Sequence, residues 1–137
     1  MECHVILLDT HALLWLDQDS SRLGPLARRR IQAAQGRHEL AVSAISFWEC
    51  AMLQDKKRIR TSLDLTRWRR DLLAAGLVEI PLNGLVAIHA ARLAAFHKDP
   101  ADCMVLASAI EEAAELCTAD EKLLEWKGKL RRFHASL

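Results

Sequence analysis

Four carboxylates stand in this sequence where strands should end or helices begin. Asp9 follows the run His4-Val5-Ile6-Leu7-Leu8, and Glu49 lies early in the helical stretch Ile45-Ser46-Phe47-Trp48-Glu49-Cys50-Ala51-Met52-Leu53. Asp102 sits in His97-Lys98-Asp99-Pro100-Ala101-Asp102, and Asp120 closes Leu116-Cys117-Thr118-Ala119-Asp120. In an open parallel sheet, strand ends and helix starts share one edge, and ligands bind at that edge. Four anionic side chains on one rim would repel strongly unless cations joined them. Hard divalent ions such as Mg²⁺ or Mn²⁺ prefer carboxylate and water oxygens. An ion held this way activates a water for in-line attack on a phosphodiester, and a pair of ions stabilises both the attacking and the leaving oxygen. The zinc-helix pattern H-E-x-x-H is absent from the sequence.

Each carboxylate also has a purely structural reading. Asp99-Pro100-Ala101-Asp102 is a good helix start, with Asp99 as N-cap, Pro100 in the first turn and Asp102 favouring the helix dipole. Thr118-Ala119-Asp120-Glu121 has the form of a capping box. Glu49 could be a surface helix residue. Asp9 is hardest to explain structurally, because its neighbours are apolar and nothing nearby in sequence pairs with it. The four together carry more weight than any one.

The elements that must position them alternate along the chain. A strand over about 4–8 leads to a short helix over 12–16. Gly24-Pro25 opens a helix that Gly36 closes, and a strand over 39–43 ends in Ser43, which could cap the helix carrying Glu49. A helix over about 65–75 stops at Gly76, followed by a short strand at 77–81. Helices over about 85–95 and 101–114 precede a strand at 116–118. A short helix around 123–126 and a final stretch near 130–133 finish the chain. Such alternation predicts a three-layer α/β/α domain with a mostly parallel central sheet. No repeat, low-complexity tract or long linker divides it, so residues 1–137 read as one domain.

With 137 residues, 51% of them hydrophobic, the chain can bury a real core. No apolar run approaches the roughly 20 residues needed to span a membrane, and the start lacks the basic region of a secretory signal, so a cytoplasmic location is expected. The net charge of +1 excludes a strongly basic nucleic-acid binder as a whole molecule. Its distribution is more telling. Lys56, Lys57, Arg58, Arg60, Arg67, Arg69 and Arg70 cluster before an acidic stretch from Asp99 to Glu125, and Lys127, Lys129, Arg131 and Arg132 follow it. An acidic centre with separate basic stretches suits a site that holds cations and receives a polyanion, although any single base is more simply part of a solvated helix face. Cys3, Cys50, Cys103 and Cys117 form no C-x-x-C pair and read as structural thiols.

The chain resembles a PIN-domain endoribonuclease of the VapC toxin type. Leu7-Leu8-Asp9-Thr10-His11-Ala12-Leu13-Leu14-Trp15, Ser43-Ala44-Ile45-Ser46-Phe47-Trp48-Glu49, His97-Lys98-Asp99-Pro100-Ala101-Asp102 and Thr118-Ala119-Asp120 carry the likeness, in order and spacing, over nearly the whole chain. The resemblance implies an acidic metal site at Asp9, Glu49, Asp102 and Asp120. It also implies a supporting hydroxyl at Thr118, with Thr10 and Ser46 as weaker candidates to support the ligands. It further implies hydrolysis of RNA dependent on Mg²⁺ or Mn²⁺, homodimerisation, and inhibition by a small antitoxin protein. Two positions depart from the pattern. Cys103 stands where many relatives carry Arg, and Lys56-Lys57-Arg58 lacks the glycine common in the matching loop.

His11 and His97 flank the proposed site. Metal-activated water needs no histidine base, so a helix-start histidine with a local hydrogen bond is the simpler reading of each. Trp15 and Trp48 are expected in the core, because each sits within an apolar helical pattern that for Glu49 runs through Ile45, Trp48 and Met52. Trp68, between Arg67 and Arg69-Arg70, either contacts RNA or a partner or packs inward from an amphipathic helix. Two other functions compete with this reading. An aspartate-nucleophile phosphohydrolase needs a second Asp two residues after Asp9, where His11 stands. The other is a non-catalytic binding module on the same fold.

Overall fold

The computed structural model describes residues 4–137, so Cys3 lies outside the described residues. In chain order the elements are β1 (Ile6–Leu8), α1 (Thr10–Asp17), α2 (Pro25–Gly36), β2 (Leu40–Ser43), α3 (Ala44–Asp55), α4 (Leu65–Ala74), β3 (Val78–Ile80), α5 (Gly84–Arg92), α6 (Pro100–Glu111), β4 (Glu115–Thr118), α7 (Glu121–Glu125) and β5 (Arg132–His134). The last of these was only an untyped stretch in the sequence; its pairing with β4 makes it a fifth strand.

All the strand pairs are parallel, in the order β3-β2-β1-β4-β5. Leu8 stands level with Val42 on one side and Cys117 on the other, so the strands flanking β1 end beside it. The strand order reverses at β1, which is where such sheets open a crevice beyond their carboxyl ends. Helices cover both faces, and the central strands are accordingly apolar throughout rather than alternating. Ile6, Leu8, Leu40, Val42 and Cys117 pack under α1, α2 and α4 with Leu13, Ile31 and Trp68. Leu7, Ala41 and Leu116 face the other way, against Ile45, Val86, Ala90, Val105 and Leu106 of α3, α5 and α6. The expected three layers are present.

One expectation about the core fails. Trp48 is 55% exposed and Met52 also reaches the surface, so α3 does not bury the Ile45–Trp48–Met52 face. It turns Ile45, Ser46 and Cys50 inward instead. Ser46 meets Thr10 of α1 at 2.9 Å, so the buried row of α3 carries a hydrogen-bonded hydroxyl while Trp48 lies on the exposed side. Trp15 is half-buried against the core, and Trp68 packs inward, edge-on to Phe47 at 5.8 Å between ring centres. Of the two readings of Trp68, the inward one holds.

Candidate active site

Because β1, β2 and β4 run the same way, their carboxyl ends bring three chain segments to one rim. Asp9 is the residue between β1 and α1 and caps that helix: its Oδ1 accepts the Ala12 N–H at 2.8 Å. The sequence had suggested no local partner for Asp9, yet this backbone donor lies three residues on. Its Oδ2 accepts the Thr118 hydroxyl from the end of β4. Asp9 is only 5% exposed, and burial pushes its carboxyl above the usual carboxylate range, with the Thr118 hydrogen bond opposing the shift.

Ser43 ends β2 and caps α3 through the Ile45 N–H at 3.2 Å, as its type and place predict. Glu49 follows half-buried in that helix and hydrogen-bonds Thr10. Thr10 Oγ1 also lies 2.9 Å from Ser46 Oγ. One hydroxyl has one proton, and an ionised carboxylate only accepts, so with Glu49 charged Thr10 donates to it and Ser46 donates to Thr10. Burial again raises the Glu49 carboxyl, reinforced by the nearby charges of Asp99 and Asp9.

Asp102 occupies the first turn of α6. Burial, then repulsion from Asp99, Asp120, Glu49 and Asp9, pushes its carboxyl up to about 8. Asp120, rather than Thr118, is the N-cap of α7: its Oδ1 accepts the N–H groups of Lys122 at 2.8 Å and Leu123 at 3.2 Å. Thr118 instead finishes β4, accepting the Asp120 N–H at 3.0 Å while donating to Asp9. Asp9, Glu49, Asp102 and Asp120 therefore border one open cavity of about 350 Å³, with Thr10, His11, Trp15, Asp99 and Ala119. Thr118, Thr10 and Ser46 all lie in the hydrogen-bond chains behind it.

Two residues at this rim, Asp99 and His97, were read from sequence chiefly as helix-start chemistry. Asp99 does cap α6, accepting the Ala101 N–H at 2.9 Å, but an oxygen of its carboxylate also falls within 4.8 Å of ones from Glu49 and Asp102. His97 makes the expected local hydrogen bond, its Nδ1 accepting the Asp99 N–H at 3.0 Å. The other edge of its ring faces the site, with Nε2 at 3.1 Å from Asp102 and 3.4 Å from Asp120. A cap signal masks any second role of the same residue, so neither contact was legible. Cys103 is buried and its thiol donates to the His97 carbonyl at 3.2 Å. Cys50 and Cys117 are buried free thiols, as anticipated. In the basic stretch, Arg69 pairs with Glu79 through two hydrogen bonds of 2.7 and 2.8 Å and is thereby engaged within the fold. Lys56, Lys57, Arg58, Arg60, Arg67 and Arg70 are exposed.

Among the described residues no lysine or arginine lines the cavity, and its five carboxylates supply hard oxygen donors. That donor set fits a divalent cation of the Mg²⁺ or Mn²⁺ kind, and burial first, then repulsion among the carboxylates, raises Glu49 and Asp102. No helix among the described residues is long and apolar enough to cross a membrane.

Known proteins place this geometry in a family. The PIN domain family model matches residues 6–129. Ribonuclease VapC22 of Mycobacterium tuberculosis is 35% identical over 119 residues, covering 86% of this chain and 88% of that protein. Among solved structures, VapBC2 from Rickettsia felis bound to a promoter DNA fragment matches with a TM-score of 0.67 at 15% identity, over 95% of this chain and 98% of its own. DNA-bound VapBC from Salmonella typhimurium matches equally well, with a TM-score of 0.67 at 17% identity over 96% and 98%. At such identities the structures speak for the fold alone, and they agree with the parallel five-stranded sheet seen here. On the extent of the family match and the likeness to Ribonuclease VapC22, this chain belongs to the PIN-domain family.

Proposed function

We propose that the chain is an endoribonuclease that hydrolyses RNA phosphodiester bonds with Mg²⁺ or Mn²⁺, and that it is the toxin of a toxin–antitoxin pair. The observation that carries this reading is the convergence of Asp9, Glu49, Asp102 and Asp120 on one cavity that, among the described residues, no lysine or arginine lines. The named relative, a VapC ribonuclease, supports RNA as substrate. Residues 1–137 would act as one nuclease domain in the cytoplasm.

Asp9, Glu49, Asp102 and Asp120 would hold the cation. When bound, Mg²⁺ or Mn²⁺ supplies a positive charge that polarises the phosphodiester and lowers the pKa of a water for attack. The protein's part is to keep four repelling carboxylates in place beforehand. Neutral donors do this for three of them: Ala12 N–H and Thr118 for Asp9, Thr10 backed by Ser46 for Glu49, and the first N–H groups of α7 for Asp120. Neutral donors hold an anion without cancelling its charge, which leaves it available to a metal. The exposed cations between Lys56 and Arg70 would guide the polyanion, with Arg69 the one already committed to Glu79.

An antitoxin protein and a second copy of the chain are the partners we infer. Solved toxin–antitoxin assemblies with this fold motivate the first. Exposed large apolar side chains, among them Trp48, Leu85 and Ile88, provide the kind of surface that association covers.

A circular RNA substrate tests the reaction. An endonuclease opens the circle in the presence of Mn²⁺; an enzyme that only trims ends leaves it intact, and that result would refute the proposal.

A further inference from the structure

His97 is 8% exposed and held by three contacts, two on its ring and one on its backbone. Its Nδ1 accepts the Asp99 N–H at 3.0 Å, the Phe96 ring meets it edge-on at 6.0 Å, and the Cys103 thiol anchors its carbonyl at 3.2 Å. A nitrogen that accepts a backbone N–H carries no proton of its own. In the neutral ring the proton is therefore on Nε2, the atom facing Asp102 at 3.1 Å and Asp120 at 3.4 Å.

From this geometry we infer that His97 is a positioning residue that holds the Asp102 and Asp120 carboxylates together by donating its Nε2–H between them. The inference rests on the metal-site reading above but concerns a different residue. Asp120 has backbone donors besides His97. Among the described residues, His97 Nε2 is the nitrogen within ion-pair distance of Asp102, at 3.1 Å, and its hydrogen bond is to Asp120 at 3.4 Å. Without it, the carboxylate facing the most negative neighbours would be free to swing away from them.

The same contacts argue against direct ligation. His97, Asp102 and Asp120 have ligand atoms close enough to share an ion. To offer the Nε2 lone pair, however, the neutral ring must move its proton to Nδ1, where it would meet the Asp99 N–H donor head-on. Keeping the proton on Nε2 satisfies both edges of the ring. His97 thus supports two ligands rather than adding a third.

The test compares wild type with His97→Gln, whose amide N–H reaches a similar position, and His97→Leu, which has no donor. Circular dichroism establishes folding, calorimetry gives Mn²⁺ affinity, and long-range ¹H–¹⁵N spectra give the ring tautomer with and without diamagnetic Mg²⁺. We expect Mn²⁺ affinity to fall roughly 10- to 100-fold in His97→Leu and to stay within about threefold of wild type in His97→Gln. Saturating metal should restore most of the His97→Leu turnover. The wild-type spectrum should show a protonated Nε2 before and after Mg²⁺. Unchanged affinity in folded His97→Leu, or equal losses in both variants, would overturn the positioning role while leaving the metal site standing. Loss of the Nε2 proton on Mg²⁺ binding would overturn it in favour of ligation. Failure of wild type to bind Mn²⁺ at all would remove the metal reading and this inference together.

Discussion

The Thr118 hydroxyl donates to the buried Asp9 carboxylate across the junction of β4 and β1, joining residues 109 positions apart. The parallel register that sets Leu8 level with Cys117 makes this contact possible, since each strand then delivers its next residue to the same rim. Thr118 also accepts the Asp120 N–H, so one hydroxyl ties two of the proposed metal ligands together. Thr118→Val keeps the shape and removes both bonds. Leaving buried Asp9 without this donor should cost about 1–3 kcal/mol of stability, measurable by urea unfolding, and should reduce cleavage roughly 10- to 100-fold. Thr118→Ser should recover most of both. Equal activity in the valine variant would show that the hydroxyl does not support the site.

Asp9→Asn should separate function from folding. The asparagine Oδ1 can still accept the Ala12 N–H, while the buried charge disappears. Cleavage should fall at least about a thousandfold if Asp9 is a ligand. The metal-free variant should be more stable than wild type near neutral pH by about 1 kcal/mol, or about 4 °C in melting temperature. Differential scanning calorimetry on EDTA-treated proteins checks this. A variant that melts well below wild type would mean that Asp9 is structural.

The acidic cavity also predicts an unusual pH response. Burial and its anionic neighbours push the Asp102 carboxyl up to about 8 from an ordinary value of 3.8, and Asp9 and Glu49 shift in the same direction. Over that window the folded, metal-free protein retains protons that the unfolded chain has released. Stability from these groups is therefore complete below the ordinary carboxylate range and is lost as pH rises through the folded value. Metal-free protein should melt lower at about pH 8 than at about pH 5, with the stabilisation by added Mg²⁺ growing over the same interval. Mn²⁺ binding should release protons, which titrations in buffers of different ionisation enthalpy would count. A melting temperature that rises steadily with pH without metal would contradict this assignment.

Lys57 adopts φ +57°, the left-handed conformation that favours glycine. It ends α3 in a left-handed stop, with Lys57 N–H donating to Gln54 O at 2.9 Å and Arg58 N–H to Leu53 O at 2.8 Å. A glycine would adopt this turn without steric cost. Lys57→Gly relieves about 1–2 kcal/mol of left-handed strain but adds about 1 kcal/mol of chain entropy to the unfolded state. Net stabilisation of about 0.5 kcal/mol is expected from chemical unfolding. A clear destabilisation would mean that Lys57 makes contacts outweighing its strain.

These helix stops also explain which parts of the fold were readable. Gly76, at φ +106°, ends α4 where a glycine signal predicts it. Asp19, Lys57 and Ala113 also have positive φ without a glycine to signal it, so helix ends near them were blurred, whereas the helix before His38 ends at Gly36 as that glycine predicts. N-caps were clearer: Ser43 and Asp99 each carry a short polar side chain at a strand or loop exit, and each accepts a backbone N–H. The rotation of α3 was hidden because its buried row includes Ser46, a polar residue that is satisfied there by its contact with Thr10. The convergence of Asp9, Glu49, Asp102 and Asp120 was legible through strand ends and helix starts. The inward edge of the His97 ring was not, because a local hydrogen bond already accounted for that residue.

The most direct test is cleavage of total RNA by purified wild type and Asp9→Asn, each with Mg²⁺ or Mn²⁺ and again with EDTA. Wild type should cut RNA with metal, EDTA should abolish cutting, and Asp9→Asn should be inactive under every condition. Equal cleavage by wild type and Asp9→Asn, or cleavage by wild type that persists in EDTA, would contradict a metal-dependent site built on Asp9.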